Sequence, residues 1–319
     1  MAISTLPRRA LFKVAPRVLR VLGPLERRII RSFDPAAPVS PPPLFLVGSP
    51  RSGSTVAYQL ITSAFEVDYP SNLAALFHHS LYLGMAAQRR AFGQGAHASL
   101  RSENGRTPGW RGPHQLAEFW YRWFPRDSHF VAGDYADAAH FAELRRTLGA
   151  IARRSGRPFV VKNLNNGQRL QAFRRVLPEA LFVFCRRDPL ETAASILSGR
   201  KRVLHDEEAW WGVEPANVAE LRRLPYPEQV VRQVYHVEKQ IEQDLRLFDD
   251  RQHMVLRLED LRRDPAAVLD AVEALFARNG VAVRRRGGVP LPDIRGAGPT
   301  ELTADEEQAL RAEVERLDW

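Results

Sequence analysis

Cysteine occurs once in 319 residues, as Cys185. A single cysteine excludes an intramolecular disulfide framework and any zinc site built on several thiolates. It stands in the apolar run Leu181-Phe182-Val183-Phe184-Cys185, which suits a buried core position. Lysine is also scarce. Lys13, Lys162, Lys201 and Lys239 are four of the 46 basic residues, so the other 42 are arginine. Acidic residues number 37, which leaves a net charge of +9. GC-rich coding explains such a bias. So does an anionic ligand or surface, because guanidinium forks match phosphate and sulfate oxygens. No apolar stretch approaches the ~18 residues of a membrane span. Arg20, Glu26 and prolines interrupt the basic N-terminus, so it lacks the apolar core of ~7–15 residues that a signal peptide needs. A cytoplasmic protein is the resulting expectation.

What is present reads as a folded chain. Hydrophobic residues make up 45% and charged residues 26%, and the length suffices for one large α/β domain or two small ones. Residues 1–40 form a separate zone. Leu11, Val14, Val18, Leu22 and Leu25 recur at roughly helical spacing, with Arg8, Arg9, Arg17, Arg20, Arg27 and Arg28 between them. Two readings fit: a basic amphipathic helix touching the inner membrane surface through residues 1–35, or a helical extension packed on its own domain. Pro16 and Pro24 are expected to break or kink it. Pro41-Pro42-Pro43 reads as a stiff boundary, after which residues 41–319 are expected to form one domain.

Four short apolar runs read as buried strands: Leu44–Val47, Phe159–Val161, Leu181–Phe184 and Met254–Leu256. Helical patterns lie between them, such as 141–154 and 168–176. Apolar strands alternating with helices predict an α/β fold, a mainly parallel sheet covered on both faces. Residues 80–130 read as irregular loops and short helices, 284–299 as a loop, and 303–317 as a closing helix capped by Thr303 and Glu306.

The first strand runs into Gly48-Ser49-Pro50-Arg51-Ser52-Gly53-Ser54-Thr55, followed by a helical pattern through Val56, Leu60 and Ile61. Strand, glycine loop and helix make a phosphate-binding turn. The spacing matches GxxxxGK[ST], but Ser54 replaces the lysine that reaches the β/γ-phosphates. Arg51 puts a cation inside the loop instead. That suits one anionic group on a nucleotide better than ATP with Mg²⁺. The third strand ends in Arg186-Arg187-Asp188-Pro189. Asp188 and Pro189 suit a helix start. Arg187 can fork onto a phosphate and Ser195 can donate a second bond. Arg186 is the second choice, since neighbours on an extended segment point opposite ways.

The string from Phe45 to Thr55 resembles the 5′-phosphosulfate loop of sulfotransferases that use 3′-phosphoadenosine-5′-phosphosulfate. It is closer to the Golgi and bacterial branch, with PRSGTT-type loops, than to the cytosolic branch. Arg187 and Ser195 have the spacing of the family's 3′-phosphate site. Leu256-Arg257-Leu258-Glu259-Asp260-Leu261 resembles its "YEDL" strand, with Leu258 in place of tyrosine. Arg284-Arg285-Arg286-Gly287-Gly288 is similar to the basic loop that covers the 3′-phosphate in cytosolic members. The resemblance implies sulfuryl transfer to an acceptor hydroxyl or amine, with adenosine 3′,5′-bisphosphate as product and no metal. It implies donor binding by Pro50, Arg51, Ser52, Gly53, Ser54, Thr55, Arg187 and Ser195.

Catalysis of this kind needs cations on the leaving phosphate and a base for the acceptor's proton. Arg51 is the leading cation. Lys162, at a strand's carboxyl end, is a further one near donor or acceptor. In the protein-tyrosine branch a glutamate about twenty residues past the loop arginine is the base. The ungapped position here is Asn72, which cannot take a proton, so Asn72 is expected to orient the acceptor. His78, His79, His114 and Glu118 are the alternatives. His114 and Glu118 lead, since they share a face if residues 113–124 form a helix begun by Pro113.

Trp110, Trp120, Tyr121 and Trp123, with Trp210-Trp211, suit either sugar or lipid stacking or the core. A carbohydrate, glycolipid or small metabolite is the expected acceptor, with lipid-linked sugars included. A P-loop kinase and a non-catalytic adenosine bisphosphate-binding module are the competing readings. The charge permits nucleic acid, but no basic stripe with interleaved aromatics appears, so none is expected. The sequence does not report the oligomeric state.

Overall fold

The computed structural model describes residues 15–93, 95, 97, 100–102, 105–288, 294 and 301–319. The expected contributions of Arg8, Arg9, Leu11, Lys13 and Val14, and most of the expected loop beyond Gly288, lie outside these. The four apolar runs are strands: β1 Leu44–Gly48, β2 Val160–Lys162, β3 Leu181–Arg186 and β4 His253–Arg257. They form one parallel sheet in the order β2-β1-β3-β4. Successive strand residues point to opposite faces, and both faces are covered, so most positions must be apolar.

The helices used below are α1 Gly23–Ile30, α2 Ser54–Ala64, α3 Leu81–Phe92, α4 Ala138–Ser155 and α5 Leu170–Val176. After β3 come α6 Pro189–Gly199, α7 Tyr226–Leu245, α8 Pro265–Arg278 and α9 Ala304–Glu315. On one face, Phe45, Val47, Val161, Phe182 and Phe184 pack against α4, α5 and α7. On the other, Leu44, Leu46, Val160, Val183 and Cys185 pack against α2 and α8. Burying each such side chain stabilises by about 1.5–3 kcal/mol, so the sheet and its two helix layers hold the frame. A third cluster joins α6, α7 and α9. Asp188 accepts the Glu191 N–H at the start of α6, and Thr303 with Glu306 forms a reciprocal capping box on α9, as their sequences predict.

Two local expectations fail. Residues 81–92 form α3, a full 12-residue helix inside the segment expected to be irregular. The helix expected over 113–124 shrinks to Ala117–Trp120. Residues 112–114 are instead paired with 70–72: Asn72 donates to Gly112 O at 2.9 Å and His114 N to Pro70 O at 2.7 Å. Leu116 then turns the chain at φ 55°.

At the N-terminus, residues 15–19 are helical, 20–22 tighten to a 3-10 turn, and α1 follows. Pro24 lies in the first turn of α1, where no amide is needed, so it starts this helix rather than breaking one. Ile30 and Glu26 pack inward. The Glu26 carboxylate accepts the Leu83 N–H at 3.0 Å, at the start of α3. Burial pushes its pKa up to about 7. A carboxyl raised in the folded state favours folding fully below its unfolded pKa, and that contribution is lost as pH rises through about 7. Thermal melting from pH 5 to 8.5 should therefore show falling stability. Glu26→Gln should flatten the slope, removing a loss on the order of 3 kcal/mol. A slope unchanged in the variant refutes the assignment. Among the described residues, no helix is long and apolar enough to cross a membrane.

Candidate active site

In a parallel sheet every strand ends at the same edge. Here the chain passes from β1 to β2 on one side and then crosses back to β3 on the other side of β1. A crevice opens at such a reversal outside the carboxyl ends of the strands. The Gly48–Thr55 loop leaves β1 there, and Arg187 leaves β3 beside it.

The loop turns sharply. Arg51 lies at φ 67° and Gly53 at φ 81°. Gly53 is held by packing too, because a Cβ there would stand 2.6 Å from Leu258 Cδ1. Leu258, where the resembled family has tyrosine, thus supports the loop from behind. Helix α2 begins at Ser54 with no side-chain cap, so its first amides face the crevice without intrahelical partners. The Ser52 hydroxyl is buried and makes no hydrogen bond among the described residues. Pro50 packs beneath Gly212. Free amides, an unpartnered hydroxyl and a positive helix end together form a cradle for an anion.

Cations reach this cradle from three sides. Arg51 Nε donates to Ser195 Oγ at 2.9 Å, and its guanidinium lies 5.9 Å from the Trp211 ring. Burial, then the charge of Arg202, then that of Arg187, pull the Arg51 pKa below its ordinary value. Lys162, at the end of β2, donates from Nζ to Thr55 Oγ1 at 2.7 Å. It is 2% exposed, and burial lowers its pKa to about 8. Neither Arg51 nor Lys162 makes an ion pair among the described residues. The Gly105 turn lies over Thr55 and Lys162: a Cβ there would stand 3.7 Å from Thr55 Oγ1 and 4.0 Å from Lys162 Nζ. Lys162 therefore brings a second cation to the Thr55 end of the loop.

The two arginines at the end of β3, Arg186 within it and Arg187 just beyond, divide as strand alternation predicts. Arg186 binds Glu238 at 2.8 Å and Glu242 at 2.5 Å, and Glu238 also accepts from Ser49 Oγ at 2.8 Å. It ties β3 and the loop to α7. Arg187 is 6% exposed and pairs with Glu191 one turn into α6, at 2.5 Å. Arg187, Ser195 and Arg51 come together on the crevice side.

The other expected residues are elsewhere. Asn72 donates to Thr107 O and Gly109 O at 2.8 and 2.6 Å, so it anchors the loop leading from Gly105. His114 Nδ1 accepts the Leu116 N–H at 3.0 Å. This places the proton of the neutral ring on Nε2. Glu118 is exposed and paired with Arg126 at 2.6 Å, which holds its carboxyl below the usual range. It faces outward toward His78 rather than sharing a helical face with His114. Trp120 packs in the core against Phe45 and Phe173, and buried Trp123 packs against Phe119 and Arg122, so they offer no face for stacking. Trp211 does lie at the loop.

Arg284–Arg286 do not reach the crevice. Arg285 bridges Phe65, and Arg286 N donates to Ala64 O at 2.7 Å, at the far end of α2. Eleven helical residues span roughly 16 Å, which puts these arginines at the amino edge of the sheet. Sequence patterning does not separate Arg202, whose charge bears on Arg51, from its neighbours in the run Arg200-Lys201-Arg202.

A protein-family model described as "Sulfotransferase family" matches residues 42–278. No curated protein matches the chain. Among solved structures, a sulfotransferase from Mycobacterium avium is 15% identical, over 99% of this chain and 90% of that one, with a TM-score of 0.48. A sulfotransferase from Mycobacterium tuberculosis H37Rv gives 15%, 96%, 81% and 0.48 for the same quantities. The sulfotransferase domain of the Synechococcus PCC 7002 olefin synthase gives 18%, 78%, 77% and 0.39.

Proposed function

The chain belongs to the sulfotransferase family, and we propose that it takes its sulfuryl group from 3′-phosphoadenosine-5′-phosphosulfate. One observation carries the choice of donor. A glycine loop without its own lysine gathers Arg51 and Lys162, neither paired with a carboxylate, while Arg187 and Ser195 wait one strand away. That arrangement suits an anion at each end of one nucleotide. The donor supplies an activated sulfuryl group and a phosphate leaving group. Arg51, the loop amides and the hydroxyls of Ser52, Ser54 and Thr55 hold and neutralise that phosphate. Arg187 and Ser195 hold the second phosphate. Lys162 adds charge where the transferred group departs.

Transfer through a loose state asks little bond formation of the acceptor. The protein's main contribution is then charge neutralisation, and a strong base is not required. His114 is poorly disposed as a base, with Nδ1 already accepting the Leu116 N–H hydrogen bond. Glu118 has an ionised oxygen, though Arg126 weakens its basicity. Asn72 positions the loop over Lys162. The acceptor in this reading is a carbohydrate, glycolipid or small metabolite.

To test this, the protein is incubated with labelled phosphosulfate donor and cell extract without metal, and in parallel with ATP and Mg²⁺. Labelled sulfate esters in the first arm are expected. Labelled product from ATP alone would replace this reading with a kinase. Tight binding of adenosine 3′,5′-bisphosphate without turnover across a broad acceptor panel would favour a binding module.

The N-terminal segment gives this reading a location in the cytoplasm at the inner membrane face. Val18, Val21, Leu25 and Ile29 are exposed and fall on one side of the helical segment. Arg17, Arg20, Arg27, Arg28 and Arg31 are exposed alongside, a pairing suited to an anionic bilayer. Cosedimentation with phosphatidylglycerol vesicles, but not with phosphatidylcholine vesicles, is the expected result. Equal binding by the double variant Val21→Glu, Leu25→Glu would dismiss the apolar stripe.

A further inference from the structure

Arg169 stands between the 3-10 turn Leu164–Gln168, which follows β2, and helix α5. The backbone on either side of it is fixed. Gln168 O accepts the Val131 N–H at 2.9 Å, and Arg169 O accepts the Phe173 N–H at 2.9 Å. The side chain that this position directs inward is 0% exposed. Aromatic rings flank its guanidinium: Cζ lies 4.6 Å from the Phe124 ring centre and 5.6 Å from that of Tyr121. Nη1 donates to Asn166 Oδ1 at 3.2 Å. Nε and Nη2 are buried and make no hydrogen bond among the described residues, and the same is true of Asn166 Nδ2.

The charge is as poorly answered as the donors. Burial pulls the Arg169 pKa down to about 10, and the groups that favour its charged form are Tyr121 and Tyr135, neither of them a carboxylate. Ring faces attract a cation, but they offset only part of the cost of taking an ion out of water. His129 brings no second charge. Burial first, then Arg169, lowers its pKa to about 4, and its Nδ1 accepts the Glu214 N–H at 2.9 Å. One buried positive charge therefore calls for one negative charge. The guanidinium also fixes the geometry of that partner. Nε–H and one Nη2–H lie parallel along a single edge of the planar group, which is the edge that forks onto an anion. Complete burial limits the partner to something small.

We infer that Arg169 holds a buried monovalent anion of about halide size on its Nε–Nη2 edge, with Asn166 Nδ2 as a further donor. The site is separate from the crevice and does not rest on the donor reading. Asn165 Nδ2 donates to Tyr121 Oη at 3.2 Å, so an anion under Tyr121 braces the turn that carries the chain away from Lys162.

Two measurements test this. In wild-type crystals grown in sodium bromide, an anomalous peak is expected within hydrogen-bonding reach of Nε and Nη2. In thermal melts where sodium chloride replaces sodium gluconate at constant ionic strength, each tenfold rise in chloride above half-saturation should add about 2 °C. Arg51→Ala should keep that dependence, which separates the site from the crevice. Arg169→Met should lose it. Where Arg169→Met does not fold, Asn166→Asp serves instead, since it gives the guanidinium its own carboxylate and should remove the dependence too. Water at the Nε–Nη2 edge of the bromide crystals, with bromide only on the surface, overturns the inference. So does a wild-type melting temperature indifferent to chloride, or a chloride dependence that persists unchanged in Asn166→Asp.

Discussion

Arg51→Ala is expected to lower kcat/KM by about 10³-fold, roughly 4 kcal/mol of transition-state stabilisation. Arg51 is the one cation inside the Gly48–Thr55 loop. It is half-buried, its Nε bonds Ser195 Oγ, and it carries no carboxylate. A charge held in that state is already organised before reaction and needs no rearrangement as the leaving phosphate gains charge. Its pKa is pulled down by burial and by Arg202 and Arg187, so an incoming anion relieves repulsion that the empty loop carries. Arg51→Lys should recover only part of the loss, because an ammonium cannot reach Ser195 and a phosphate oxygen in one plane. The backbone adds nothing to this difference, since alanine and arginine are equally strained at φ 67°. Steady-state kinetics with the phosphosulfate donor decides the matter. A loss of less than tenfold in Arg51→Ala would remove Arg51 from the reacting centre.

Lys162→Met should cost about 10²- to 10³-fold in kcat/KM, while raising the melting temperature at pH 7. Both follow from one fact: Lys162 is a buried cation bonded to Thr55 and not to a carboxylate. Burial opposes its charge and brings its pKa from 10.5 down to about 8. Below pH 8 the protein holds a desolvated charge that its unfolded chain would leave in water. A methionine of similar length removes that penalty. The pH dependence has a definite sign. A lowered lysine pKa means that charge is present below about 8 and lost above it. Affinity for adenosine 3′,5′-bisphosphate should therefore weaken as pH rises from 7 to 9.5. Bound anion would shift this fall upward. Lys162→Met should show weaker binding with little slope. A wild-type profile flat across that range would mean that Lys162 does not face the nucleotide. A lower melting temperature in the variant would mean that it is a structural lysine.

Much of the frame is legible in the sequence because burial on both faces leaves strands little freedom. Each apolar run became a strand within two residues of its expected ends. Helix α6 was legible from Asp188 and Pro189 because caps are local chemistry. The helix expected from Pro113 was not, because its fate depends on residues 70–72, about forty positions earlier. Helix α3 hid in a segment whose flanking glycines and tryptophans suggested loop. The site divides the same way. Arg51, Arg187 and Ser195 are singled out by the loop, the strand end and the family resemblance, and the structure brings the three side chains together. Glu118 and His114 are expected on one helix, but the helix that forms, Ala117–Trp120, leaves His114 outside it. Arg284–Arg286 looked like a phosphate-covering loop until the pairing of Arg285 with Phe65 put them at the other edge.

The adjacent arginines at the end of β3 bear on how this chain can evolve. Arg186 answers to Glu238, Glu242 and, through Glu238, Ser49. Selection on it acts through how much folded protein a cell retains. In the proposed reading Arg187 answers to whatever fills the crevice, and selection on it acts through what that protein does. A lineage that abandoned the reaction would be free to lose the second while still bound to keep the first. One dipeptide thus records two histories, and drift at Arg187 beside a fixed Arg186 would mark a descendant that kept the fold and gave up the chemistry.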